Sequence, residues 1–156
     1  MANVNIVCIG KLKEKYFKEA QAEYSKRLGA FCRVIIIEKK EEAMQKNASV
    51  AQIDTARKNE SEALNMASRG YMIALSPDGE SMTSPQFARL IKKRSQIGDI
   101  SFLIGGSHGL SRAIKTKADI VLSFSDMTMP HQLFRIVLLE QIYRGFMIGA
   151  GRVYHK

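Results

Sequence analysis

The chain has 156 residues, 46% of them apolar, with a formal charge of +9, two cysteines and no tryptophan. That length fits one domain, residues 1–156, large enough to bury a core without disulfide or metal staples. No apolar run reaches 18 residues, and the chain does not open on a charged segment followed by a long apolar one, so neither a membrane span nor a secretion signal is expected and a cytoplasmic location is. Cys8 and Cys32 lack metal-ligand spacing and read as reduced thiols, and no metal site is expected. The positive balance bears on partners rather than fold and favours an anionic one, such as nucleic acid, over a merely solvated surface.

Val4 to Ile9 is an apolar run, broken by Asn5 and ended by Gly10, that predicts a strand buried on both faces. Gly10-Lys-Leu-Lys13 is the loop beyond it. Glu14 to Leu28 places Phe17, Ala20, Tyr24 and Leu28 on one helical face, and Gly29 stops that helix. Arg33 to Glu38 predicts a second buried strand. Lys39 to Asn47 is charged and patternless, which predicts a mobile loop. Ser49 to Arg69 predicts a helix whose stripe of Val50, Ile53, Ala56, Ala63, Leu64 and Ala67 is weak, which places it at an edge. Tyr71 to Leu75 predicts a third strand, closed by the turn Ser76-Pro-Asp-Gly79. Thr83 or Ser84 caps the next helix and Pro85 sits in its first turn. Phe87, Leu90, Ile91 and Ile97 form its buried face, and Lys92-Lys-Arg94 the outer one. A strand from Asp99 then runs into the loop Gly105-Gly-Ser-His-Gly109. A short helix follows from about Leu110 to Lys117, then a strand over Ala118 to Ser125, and Pro130 opens a last helix that reaches Ile148. Strands alternating with helices define an α/β domain with a mainly parallel sheet.

In such a sheet ligands bind beyond the carboxyl ends of the strands. Gly105, Gly106 and Gly109 let backbone approach a ligand closely, so a small molecule is expected between the glycine loop and Ser125–Met129. A dinucleotide is one alternative, because Asp126 stands about 20 residues on, where a ribose-binding acid would. The glycine spacing is not G-x-G-x-x-G, however, and the intervening helix is short. No G-x-x-x-x-G-K-[ST] occurs, which excludes a P-loop. The last helix carries Leu133, Phe134, Ile136, Val137, Leu138, Leu139, Ile142, Tyr143, Phe146, Met147 and Ile148 and has almost no polar face. A helix apolar all round is buried all round. One side can pack on the sheet and the other on a second copy, which predicts a homodimer through this helix; the alternative is a central core helix.

Three strings have a family resemblance. Leu103-Ile-Gly-Gly-Ser-His-Gly109, Ser125-Asp-Met-Thr-Met-Pro-His131 and the terminal Tyr154-His-Lys156 resemble the ribosomal large subunit methyltransferase H family, and Gly10-Lys-Leu-Lys-Glu-Lys15 fits it too. The resemblance spans essentially the whole chain. It implies a SPOUT fold with a C-terminal trefoil knot, a dimer, S-adenosylmethionine as methyl donor, and methylation at N3 of a pseudouridine in 23S rRNA of the assembled ribosome. Carried across by motif, the cofactor site is Leu75, Gly105, Phe124, Ser125, Asp126, Met127, Thr128 and Met129. A sulfonium donor has no phosphates, which accounts for glycines that match no dinucleotide fingerprint. The acceptor N3–H must lose its proton, and His131, Asp126 and His155 are the candidate bases. The tail resembles the family signature, so Tyr154 and His155 are expected to complete the active site, with Arg144, Arg152 and Lys156 on RNA phosphates and Lys11, Lys13 and Arg112 along the same edge. A nicotinamide oxidoreductase and a non-enzymatic, ribosome-associated basic dimer are the competing readings.

Overall fold

The apolar runs become strands because a chain buried on both faces leaves no room for a polar alternation. The computed structural model describes residues 1–156. Its elements are β1 (Asn3–Ile9), α1 (Lys15–Leu28), β2 (Arg33–Lys39), α2 (Val50–Ala67), β3 (Tyr71–Ser81), α3 (Ser84–Ser95), β4 (Ile100–Ile104), α4 (Arg112–Lys117), β5 (Ile120–Ser123) and α5 (His131–Gly149). The five strands form one sheet in the order β2-β1-β4-β3-β5, parallel throughout. Alternate residues of β1 divide the interior. Val4, Ile6 and Cys8 face the larger core, closed by α1, α3 and α5, while Val7 and Ile9 face a smaller one closed by α2 and α4.

Local signals set the helix starts. Ser49 accepts from the Gln52 N–H while the Gln52 side chain takes the Ser49 N–H, and Thr83 and Gln86 repeat the arrangement at α3. Three expectations are corrected. Ile97 is 71% exposed rather than buried, because α3 ends at Ser95 and Ile97 falls in the turn beyond the helical period. Helix α2 is no edge helix: Leu64 is fully buried, and its inward stripe reads as weak because Glu60 and Ser61 belong to it. The Ser76–Gly79 segment does not end β3. Leu75 and Glu80 both pair with Leu122, so residues 76–79 bulge out and pairing resumes at Glu80 and Ser81. A Cβ on Gly79 would stand 2.7 Å from the Val121 carbonyl, so glycine alone permits this close approach of two strands.

Helix α5 lies between α1 and α3 over the larger core, with Leu138, Leu139 and Ile142 fully buried. Much of its apolar surface is therefore used within one chain, as a core helix would use it. Gly145 brings α5 onto α3, where a Cβ would come 3.1 Å from the Ile91 side chain. An outer strip through Leu133, Ile136, Val137, Glu140, Arg144 and Met147 stays partly exposed.

One charge interrupts the inward face. Arg135 is 1% exposed and donates to Glu38 Oε2 at 2.7 Å, Gln21 Oε1 at 3.2 Å and the Gly10 carbonyl at 3.2 Å. Its Nε has no partner. Removing the counter-charge of a buried ion is worse than removing the whole pair. Glu38→Ala is accordingly expected to cost about 3 kcal/mol, and Arg135→Met about 1 kcal/mol, since it leaves only the part-exposed Glu38. Urea unfolding of both variants checks the order, and a costlier Arg135→Met would contradict it.

Candidate functional site

At the carboxyl ends of the strands a cavity of about 610 Å³ opens, within the size range of small-molecule sites. Four segments build it. Leu75, Ser76 and Pro77 come from β3 where its bulge begins; Ile104 to Ser107 and Gly109 from the end of β4 and the turn beyond; Leu122 and Phe124 to Pro130, without Asp126, from β5 and the loop beyond; and His131 and Phe134 from the start of α5.

The glycine loop is a tight turn. Gly109 N–H donates to the Gly106 carbonyl at 3.0 Å, and Gly109 has φ +75°. A Cβ on Gly105 would meet the Gly109 carbonyl carbon at 2.6 Å, so the two limbs touch through backbone. Helix α2 and the 39–47 segment hold the turn from behind. Arg57 Nε donates to the His108 carbonyl at 2.8 Å, Ser107 Oγ donates to Glu41 at 3.0 Å, and Glu42 N–H donates to Glu60 at 2.9 Å. The charged 39–47 segment thus meets the turn and α2 through Glu41 and Glu42. Glu60 sits under the turn, where a Cβ on Gly106 would lie 3.3 Å from its Oε1. Sequence periodicity gave no hint of Arg57 or Glu60, which look like surface charge on a helix.

The facing segment is more open. Met127 N–H is capped by Ser125 Oγ at 2.9 Å, and Ser123 Oγ donates to the Ser125 carbonyl at 3.2 Å. The N–H groups of Asp126, Thr128 and Met129 donate to no protein acceptor. Free main-chain donors beside the apolar side chains of Leu75, Leu122, Phe124 and Met129 suit a flat heteroaromatic ligand with polar edges. The edge-to-face contacts of Phe124 with Phe87 and Phe134 fix that wall.

Of the residues expected to hold a cofactor, the structure brings Leu75, Gly105, Phe124, Ser125, Met127, Thr128 and Met129 around the cavity. The Asp126 side chain is exposed and does not line it. His131 lines the cavity; His108 does not. No group of three or more histidine, cysteine or acidic side chains is placed to hold a metal ion, and no helix is long and apolar enough to cross a membrane.

The tail packs elsewhere. After α5 the chain turns at Gly151, with φ +68°, and folds back along the outer strip. Tyr154 O–H donates to Glu140 Oε1 at 3.2 Å, and the same oxygen takes Arg144 Nη2 at 2.7 Å. Burial, and then the Glu140 carboxylate, push the Tyr154 phenol above its ordinary value, which keeps it a donor. The hydrogen bond to Glu140 raises Arg144 likewise. Arg144 Nη1 lies 3.3 Å from His155 Nδ1. A guanidinium only donates, so a hydrogen bond here has Nδ1 as its acceptor. No tail residue lines the cavity of its own chain. Tyr154 touches the helix at Glu140, nine residues beyond His131 and so about 14 Å along the axis. Arg152 and Lys156 are exposed, whereas Arg144 is occupied by Glu140.

A parallel α/β sheet with an apolar, main-chain-lined cavity at its carboxyl edge defines an α/β domain built to hold a small molecule beyond its strand ends. The chain belongs to the SPOUT methyltransferases: the family model described as predicted SPOUT methyltransferase matches residues 2–155. It is 46% identical to the ribosomal RNA large subunit methyltransferase H of Leuconostoc mesenteroides subsp. mesenteroides, 45% to that of Lactobacillus delbrueckii subsp. bulgaricus and 46% to that of Clostridium kluyveri, over 99% of both chains in each case. Its fold is also that of a probable methylase family protein from Haemophilus influenzae Rd KW20, with a TM-score of 0.56 at 12% identity, covering 99% of this chain and 71% of that one.

Burial, with the nearby Glu41 and Glu42, pushes the Glu60 carboxyl above its ordinary value of 4.5. The native chain then binds more protons than the unfolded one, so this group's contribution to stability is lost as pH rises from about 4.5 through the raised value. Glu60→Gln keeps an acceptor for the Glu42 N–H and is expected to flatten that loss. Urea unfolding across the pH range reads it; parallel curves for the two proteins would contradict it.

Proposed function

We propose that the chain methylates large-subunit ribosomal RNA, taking the methyl group from S-adenosylmethionine and placing it on N3 of a pseudouridine, as a cytoplasmic homodimer. The observation that carries the reading is the cavity between the glycine turn and the open main chain of residues 124–129. It fits the donor's adenosyl group, with Leu75, Phe124 and Met129 against the ring and the free N–H groups of Thr128 and Met129 at its polar edges. When bound, S-adenosylmethionine supplies an electrophilic methyl on a sulfonium. It carries no phosphate, and no lysine or arginine lines the cavity. The names of the full-length relatives and the charge of +9 support an RNA acceptor. The family resemblance implies a C-terminal third threaded through a loop of backbone.

The residues' work is positioning. Fixing donor and acceptor in line can supply about 7–11 kcal/mol of the barrier. His131 lines the cavity wall, which supports it among the candidate bases for the N3 proton. The tail lies on the outer strip of α5, the strip proposed to pair with a second copy. There Tyr154 O–H and the His155 ring would complete the partner's cavity as donors to the acceptor base, with Lys156 beside its phosphate.

Titration calorimetry is expected to show binding of S-adenosylmethionine and none of NADH. Methyl label is expected at N3 of pseudouridine in 23S rRNA; label at another RNA position would overturn the finer assignment. A shared site has its own test. A chain lacking residues 152–156 and a Gly105→Ala chain, whose Cβ would strike Gly109, are each expected to be inactive alone. Mixed and allowed to exchange subunits, they are expected to recover measurable turnover, because one cavity then meets an intact tail. No recovery, with mixed dimers present, would place each tail over its own cavity.

A further inference from the structure

Arg152, at the root of the tail, and Lys92 of α3 lie away from the cavity at the carboxyl edge. Phe31, in the turn after α1, stacks parallel on Phe146 of α5, with centroids 5.6 Å apart and planes 8° apart. The Arg152 guanidinium lies 5.4 Å above the Phe31 ring and pairs with no carboxylate. Beside them a cavity of about 170 Å³ runs to α3, bordered by Lys92 and Gln96. Gly149 closes its floor, where a Cβ would stand 3.6 Å from the Lys92 side chain. Lys92 and Gln96 are exposed and make no side-chain hydrogen bond or ion pair.

We infer that this corner holds one unpaired nucleotide of the RNA substrate, outside the methylation site, with its base on Phe31 and its phosphate on Arg152 and Lys92. The inference rests on the RNA reading above. An aromatic face covered by a single exposed arginine is one a base can take by displacing that side chain, whose guanidinium then turns to the phosphate. Base stacking on an aromatic ring tolerates any sequence. The Gln96 amide, donor and acceptor together, can meet a base edge. The charge favours an anionic occupant: two unpaired cations border the site and no acidic residue lines the cavity. A protein partner would more naturally cover the apolar strip of α5 than this cationic corner.

The test uses the full chain with 23S rRNA. Phe31→Leu keeps apolar volume but loses the ring face, and Phe31→Tyr keeps the face. The leucine variant is expected to bind rRNA about 5- to 100-fold more weakly, the range of base–aromatic stacking. The tyrosine variant is expected to bind within about twofold of wild type. Affinity for S-adenosylmethionine and the sedimentation coefficient are expected to be unchanged in both. Lys92→Ala and Arg152→Ala are each expected to lower the slope of log affinity against log salt by about 0.7. Equal RNA affinity for wild type and Phe31→Leu, with unchanged salt slopes for the lysine and arginine variants, would overturn the inference alone. A leucine variant that loses RNA affinity because it falls to monomers would overturn it in favour of a subunit contact. Wild-type protein that binds S-adenosylmethionine but no rRNA would overturn the RNA reading and this inference together.

Discussion

A guanidinium in a protein interior is costly to desolvate, by several kcal/mol even after relaxation. Arg135 persists there because three separate segments meet it: Glu38 at the end of β2, Gln21 from α1 and the Gly10 carbonyl just past β1. One side chain of the last helix therefore ties that helix to the first quarter of the chain. The consequence reaches the cavity, because His131 and Phe134 occupy the same first turn of α5. An apolar side chain at 135 could be buried as well, yet it would leave the rotation of α5 to packing alone. Directional hydrogen bonds to three groups fix the helix in one register, and with it the wall that faces the glycine turn.

That wall is matched by backbone held against backbone. Gly105 against Gly109 and Gly79 against Val121 are approaches that any side chain would block. The cavity is shaped by main chain because the strands around it come closer than side chains allow. Its glycine turn is then held from the opposite side of the sheet, through Arg57, Glu41 and Glu60. The two helical layers meet at the site, which lets a ligand bound there feel both.

Much of this was legible in the amino-acid order. Apolar runs gave every strand of the sheet, and Ser49, Thr83, Pro85 and Gly29 gave helix ends, because those signals are local. The glycine turn and the 125–129 loop were legible as a site from their place at strand ends. What escaped was set by long-range partners. Arg135 hid in an apolar run, where periodicity sees only an interruption. Glu60 looked like solvated charge until Gly106 was folded over it. The return of β3 to pairing at Glu80 depends on Leu122, some forty positions away. Ile97 failed for a simpler reason: the helix stopped two residues earlier than its apolar pattern. Asp126 was drawn in with its neighbours, although that residue is exposed and does not line the cavity.

The charges on and beyond α5 sort its surface. Arg144 is neutralised within its own strip, by Glu140, and Tyr154 completes the same carboxylate. A strip made of Leu133, Ile136, Val137 and Met147 around an internally satisfied ion pair can be covered without stranding a charge. Arg152, just past the end of α5, and Lys92, on α3, have no such partner, and burial under an apolar face would leave both charges uncompensated. The first surface therefore suits a second copy of the chain, and the second suits an anion. A single helix in this way presents an apolar flank along its length and a cationic corner at its end, with the tail folded between them.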